Sequence, residues 1–587
     1  MSRILPETIN HFKQTETMKK ILAAVTLLAF AAGAGAQNMY DAITFSQNHY
    51  FGTARSMAMG NAVTALGGDL GSAVINPAGS AVAGFGQFVI TPGFTLSAVN
   101  SAWSPEGENS YSPSTGLTQT RMNMPNIGLS MEFKTGRRQG VKSFNFGVIS
   151  TQTNNYNFAS DAFGTNSRTS KLAEFADAAF GYPESTLANS GSFQNSDAPW
   201  DLLTAYQGGM YGPYGWDGEY AGVTETISDD GSYHYVPGPL SQTSSRTKRG
   251  SKNDLIFNLG LNISDRVYVG FNVGLPTARY RYSENFYESA VDPSQFPIIY
   301  EDMDADYLTY FNRGTYSYDY LADLAGIYAK IGVIVRPMEG LRLGATFQTP
   351  TAYTVSERWQ HYASTTFSDS YYDDSQYSPE GEYEYSMRSP YRASFGLAYT
   401  IGKSGAVSVD YELADYSVMR FSELHRNRMS SDAFLVQNMT NRYFAGVAHS
   451  VRLGGEFKVT PAFAVRAGYT LATSPERYWT DSAGMTVTAD DYADAFYDYY
   501  DRARNLVTPH YYKDRTQSFA LGFGYSSAGS FFLDAVARLT RYPASTFAPY
   551  FDYDSYDQAG NLQSVLSPRV SDDRSLWNVA VTFGWRF

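Results

Sequence analysis

LIFNLGLNISDRVYVGFNV, read from Leu255 to Val273, decides how the rest of the chain is read. Leu255, Phe257, Leu259, Leu261 and Ile263 fall on one face of a period-two pattern. Ser264-Asp265-Arg266 breaks it, and Val267, Val269, Phe271 and Val273 resume it. Strict alternation around a short polar break predicts a β-hairpin with one apolar face.

The pattern recurs four times. Ile327 to Val335 passes through Pro337-Met338-Glu339-Gly340 into Leu341 to Phe347, and Phe395 to Ile401 turns at Gly402 to Gly405 into Val407 to Tyr411. Val451 to Val459 turns at Thr460-Pro461 into Phe463 to Tyr469, and Phe519 to Tyr525 turns at Ser526 to Gly529 into Phe531 to Ala537. Three strands are predicted ahead of these, over Gly86 to Asn100, Met122 to Lys134 and Ser143 to Phe158. A last one, Trp577 to Phe587, places an apolar residue at every second position up to a terminal aromatic. The total is about fourteen, an even number, as single-chain bacterial outer-membrane barrels have. Long Tyr/Asp-rich connections such as Ser368 to Ser386 and Asp490 to Asn505 alternate with the tight turns. The expected fold is all-β: a transmembrane antiparallel barrel over residues 85–587, with short turns on the periplasmic side and long loops outside.

Composition agrees. The 587 residues include 47 Tyr and 51 Gly, carry a formal charge of -13 and contain no Cys. Acidity disfavours nucleic acid as a partner, since that needs basic grooves, and no disulfide can form. Met18-Lys19-Lys20, the apolar run from Ile21 and the small-residue end at Ala34-Gly35-Ala36 have the layout of a secretory signal peptide. Residues 1–36 are therefore expected to be an upstream extension and leader, with Met18 as the start of translation. A mature chain beginning near Gln37 is implied, placed in a bacterial outer membrane.

Residues 37–84 match no strand pattern. Small and apolar residues surround a Pro-Gly pair, which fits neither a helix interior nor a central strand; the reading is a hatch folded into the barrel lumen. Its key positions are Gly52, Arg55, Gly60, Asp69, Asn76, Pro77, Ala78 and Gly79. This pattern resembles the N-terminal hatch of the FadL-type outer-membrane transporters, a family that includes long-chain fatty acid and aromatic-hydrocarbon channels. The resemblance covers the hatch, the strand number, the closing strand and the hairpin at Lys330 to Pro350, but not the external loops. It implies a fourteen-stranded barrel whose hatch shifts to let a hydrophobic ligand leave sideways through a gap in the wall. It also implies outer-membrane lipid and lipopolysaccharide as surroundings, and makes Trp585 and Phe587 the signal read by the barrel-assembly machinery.

Two loop segments carry apolar residues at helical spacing: Leu172, Phe175 and Phe180 within KLAEFADAAFG, and Trp200 within WDLLTAY. They form either a surface for ligand capture or the small core of a self-packed loop. Opposite the apolar stripes, Lys330, Arg342, Asp410, Glu412, Arg452, Glu456, Arg466, Asp534 and Arg538 are expected to face the lumen and pair across strands. A lumen this polar keeps open a diffusion channel for polar solutes, and an adhesive or structural barrel is a further alternative. No Gly-x-Ser-x-Gly or His-Glu-x-x-His occurs. The histidines past residue 36 show no ligand spacing, with His234, His361, His425 and His510 in or near loops. No enzyme, catalytic residue, metal or cofactor is expected.

Overall fold

The computed structural model describes residues 38–214, 217–228, 233–300, 307–424, 433–493 and 503–587. The leader reading for residues 1–36 lies outside the described residues, as do His425 and part of the Asp490–Asn505 segment.

Fourteen antiparallel strands close into a barrel. In chain order they are β1 (Gln87–Ser104), β2 (Thr115–Lys134) and β3 (Val141–Asn155, continued by Phe158–Asn166), then β4 (Leu240–Ile263), β5 (Val267–Ala290) and β6 (Tyr307–Val335). β7 (Leu341–Gln348 and Ala352–Phe367), β8 (Gly381–Arg388 and Arg392–Ile401) and β9 (Gly405–Asp415 and Arg420–Glu423) are each interrupted by a short break. β10 (Val447–Lys458), β11 (Phe463–Thr473), β12 (Arg515–Ser526), β13 (Phe531–Arg541 and Ser545–Phe547) and β14 (Arg569–Arg586) complete the circuit. β14 pairs back onto β1 from Gln87↔Arg586 to Ser104↔Arg569. Phe587 and Gly86 exchange both backbone hydrogen bonds, at 2.9 and 3.0 Å, so the terminal aromatic pins the closing seam. Closure pairs the first strand with the last, as β-structure in lipid requires.

All five hairpins are present with the expected turns. Between β4 and β5, Ser264 and Asp265 both have φ 57°, the two-residue left-handed geometry that matches strand twist. Asn262 fixes it by exchanging bonds of 2.8 and 2.9 Å with Asp265. The strands run further than alternation alone indicated. β2 begins at Thr115, and the Tyr/Glu-rich run from Gly381 belongs to the wall rather than to a loop. His361 likewise lies within β7, bonded to Tyr316 at 2.8 Å, not in a loop.

Outside, large apolar side chains are exposed all round the barrel. Phe257, Phe271, Ile331, Phe395, Leu453 and Leu521 are between 39% and 69% accessible. Their neighbours in sequence point inward and are buried, as Ile256, Asn272, Lys330, Ser394, Arg452 and Ala520 are. A continuous exposed apolar belt on a closed barrel is stable only in lipid, so the chain is a transmembrane β-barrel. No described helix is long and apolar enough to cross a membrane.

Candidate functional site

The segment ahead of β1 is an N-terminal plug inside the lumen. It contains four short helices: α1 (Met39–Ser46), α2 (Ala54–Ala58), α3 (Leu70–Ile75) and α4 (Gly79–Val82). Thr53 and Asp69 cap α2 and α3 through their side chains. Asp69 also accepts from Thr53 Oγ1 at 2.5 Å and Ser56 Oγ at 3.1 Å, which ties the two helices together.

The plug is held by backbone proximity. Strand after strand presents an inward glycine to it. A Cβ at Gly454 would stand 2.5 Å from the Met59 carbonyl oxygen, and one at Gly396 would stand 2.8 Å from Thr64 Cβ. Cβ atoms at Gly260, Gly270, Gly332, Gly344, Gly468 and Gly522 would run into Ser80, Pro77, Asn76, Thr64, Gly60 and Ala58 respectively. Bare backbone in the wall is what lets two chains approach this closely. The small residues of the plug are the other half of the same fit.

Buried polar groups of the wall satisfy the plug backbone. Lys330 Nζ donates to the Val74 carbonyl at 2.9 Å, Asn272 to Ala73 at 2.9 Å and Asn258 to Pro77 at 3.0 Å. Thr64 N–H donates to Asp410 at 2.7 Å. Arg342 bonds Leu66 O. Several lumen charges expected to pair only with one another thus serve the plug's exposed carbonyls, as buried backbone requires. The rest do pair: Glu412 lies between Arg392 and Arg452 at 3.2 and 3.0 Å, and Arg466 joins Glu456 and Asp534 at 2.7 and 2.6 Å.

The positions singled out in the sequence sit as follows. Asn76 is fully buried; its amide donates to Thr64 O at 2.6 Å and Val333 O at 3.2 Å, while its Oδ1 accepts from Ala78 N at 3.1 Å. Pro77 lies on the bare backbone of Gly270, and Gly79 has no room for a side chain beside Ser72. Gly60 adopts φ 63° against β10 and β11. Arg55 reaches Glu456 at 2.9 Å and Asp69 at 3.9 Å. Gly52 has only ordinary contacts, with Gly71 Cα 3.7 Å from its Cβ position.

Above α2–α4 the lumen is filled by a buried aromatic cluster. β5 to β9 supply Tyr280, Tyr320, Tyr353, Tyr385, Met387 and Met419, and α1 sits among them with Met39, Ala42, Ile43 and Phe45 buried. Phe45 meets Tyr280 edge-on at 5.7 Å, and Tyr320 donates to Glu357 at 2.6 Å. The opposite wall is polar: Lys252 bonds Phe45 O at 2.9 Å, Arg538 bonds His49 O and Tyr50 O at 3.3 Å, and Arg574 bonds Asn157 O at 2.7 Å.

Within that polar wall the sheet changes partner. β2 and β3 pair from Lys134↔Ser143 to Asn126↔Thr151, where Pro125 lacks the next donor. Beyond this point β3 turns to the plug, and its Gln152 and Thr153 carbonyls accept from Phe51 N at 3.0 Å and His49 N at 2.8 Å. Across the break, Asn123 Nδ2 donates to Gln152 Oε1 at 2.7 Å.

The outer mouth is capped by the long insertion. α5 (Lys171–Ala178) and α6 (Trp200–Gln207) share a core in which Leu172 and Phe175 are 1% and 3% accessible, while Phe180 and Trp200 are half-buried. Phe311, Tyr316 and Ala363 of the wall complete that core, with Phe175 and Tyr316 ring centroids 4.9 Å apart. Ser170, which caps α5, bonds Glu288 of β5 at 2.7 Å and seats the cap on the wall. Glu174 is buried within the cap, and burial pushes its carboxyl up to about 7. Alternation located none of Lys252, Asn258, Asn272, Arg392 or the glycine ring. An inward glycine recurring on eight of the strands is the signal that could have found it.

No family model matches the chain, and no curated protein matches it by sequence. Among solved structures it is similar to a Pseudomonas aeruginosa FadL homologue, with 12% identity over 92% of this chain and 98% of that one, TM-score 0.45. It is also similar to the Pseudomonas putida toluene transporter TodX, with 10% identity over 91% and 98%, TM-score 0.40. The Ralstonia pickettii toluene transporter TbuX gives 13% identity over 91% and 98%, TM-score 0.41. Barrel, plug and cap are defined by this chain's own pairing and contacts: it is a fourteen-stranded transmembrane barrel closed at one end by its N-terminal segment and at the other by a folded loop.

Proposed function

We propose that the protein is a passive transporter of hydrophobic small molecules in a bacterial outer membrane, with its tight turns in the periplasm and its long loops outside. The observation that carries this reading is the buried aromatic cluster in the lumen, against which α1 of the plug packs its apolar face. A lining of this kind suits apolar ligands, and cargo would take the place of α1.

The route out is the break between β2 and β3. Because β3 is bonded there to Phe51 and His49 of the plug, a shift of the plug would free the wall strand and widen the break toward the lipid. Fatty acids and aromatic hydrocarbons are the cargo classes in view. Trp585 and Phe587 are read as the end recognised by the barrel-assembly machinery. The Asn123–Gln152 bond is the latch across the break. In cells relying on this protein for uptake, Asn123→Ala with Gln152→Ala should raise entry of a fluorescent fatty acid or of toluene severalfold and leave glucose entry unchanged. Equal gains for glucose would establish a polar-solute channel instead.

A further inference from the structure

Below the plug, at the tight-turn end, lies a cavity of about 450 Å³ that the transport reading does not use. Six cations line it: Arg55, Arg342, Lys403, Lys458, Arg466 and Arg586. Its three carboxylates are all engaged. Glu456 holds Arg55 and Arg466, Asp534 holds Arg466, and Asp69 caps α3. Among the described residues, Arg342, Lys403, Lys458 and Arg586 form no ion pair with a carboxylate. In a chain of formal charge -13 this is a local reversal of sign. A second observation is independent of charge. Gln87 lines the same cavity, is 1% accessible, and its Nε2 has no hydrogen-bond partner among the described residues. A buried amide donor left unmade costs about 1–3 kcal/mol, and its complement is an acceptor oxygen. Phe85 and Phe532 hold the Arg586 guanidinium between their rings at 5.4 and 4.7 Å, fixing one of the cations at the rim.

We infer that this vestibule binds a multiply charged oxyanion, with phosphate-type oxygens facing the unpaired cations and one oxygen accepting from Gln87. Such a group could come from a free solute or from the head of an inner-leaflet phospholipid. The inference does not depend on the hydrophobic cargo, and its test contains none.

The purified full chain, in detergent and in phosphatidylcholine nanodiscs, would be titrated calorimetrically with inorganic pyrophosphate. Saturable one-to-one binding that weakens as salt rises is expected. Lys403→Glu with Lys458→Glu, both exposed, one in a turn and one at the end of β10, should weaken it tenfold or more, and Gln87→Leu severalfold, with the heat-modifiable folded band retained. Nanodiscs containing phosphatidylglycerol separate the sources: loss of pyrophosphate binding there identifies a lipid head as the resident anion, and unchanged binding identifies a free solute. Absence of saturable binding in detergent and phosphatidylcholine, or equal affinity in wild type and both variants, would overturn the site.

Discussion

The two ends of the lumen are closed by opposite means. The plug is built from small residues laid against inward glycines, and its backbone is satisfied by side chains of the wall. The cap is built from large residues, with Leu172, Phe175, Leu202 and Leu203 packed on one another and on Phe311, Tyr316 and Ala363 of the wall. Both closures share buried surface with the barrel, the plug through small residues and polar bonds and the cap through a large apolar core.

This contrast can be broken from the cap side first, with the largest effect. Leu172→Ala combined with Phe175→Ala should cost the cap about 4 kcal/mol or more through lost burial and cavities. Proteases should then cut within residues 167–239 while the heat-modifiable barrel persists. Loss of the barrel as well would show that the cap is not separable. On the plug side, Arg55→Ala leaves Glu456 with one cation fewer in a largely buried cluster and should cost about 3 kcal/mol. Hydrogen exchange over residues 54–83 would report it, and Arg55→Lys should recover only part, since a point charge does not reproduce the guanidinium fork.

Gly454→Ala is smaller again. Its Cβ would stand 2.5 Å from the Met59 carbonyl oxygen, so the plug must give way at a cost of about 2 kcal/mol. The readout is faster exchange confined to the plug; unchanged exchange there would mean that the glycine ring is not what sets the fit. Smallest is the pH response of the cap. Burial lowers His234, but its 2.9 Å bond to Glu225 and that carboxylate's charge outweigh burial and leave it raised; Glu174 is raised to about 7. Both groups hold protons more tightly when folded, so their contribution is fully present at low pH and is lost as pH climbs through their folded values. Exchange protection of the cap should therefore fall modestly as pH rises from about 4.5 through about 7, the span of the Glu174 shift.

Much of the barrel was legible because period-two alternation is a local property. Leu255 to Val273 contains its own turn, and the strand number followed from repeating it. The plug was legible through the absence of any strand pattern over residues 37–84 and its small apolar residues around Asn76-Pro77-Ala78-Gly79. What escaped was the pairing of the two. Lys330 reads as a lumen charge in need of a carboxylate, but its partner is the Val74 carbonyl, contributed by a segment 256 residues away. The cap left two readings open because helical spacing of Leu172 and Phe175 fits a buried core and an exposed surface equally; only tertiary contacts distinguish them. The wall break did leave a mark, since the apolar alternation of Phe144, Phe146 and Val148 gives way to the all-polar, fully buried Thr151 to Asn155 where β3 leaves β2 for the plug.

The buried aromatic cluster is the centre of the account, and the most direct measurement is mass spectrometry of small molecules extracted from the purified, detergent-solubilised protein. A near-stoichiometric hydrophobic compound, displaced by added fatty acid or hydrocarbon, is the predicted result. A barrel that yields no such compound and conducts ions steadily in a planar bilayer would contradict it.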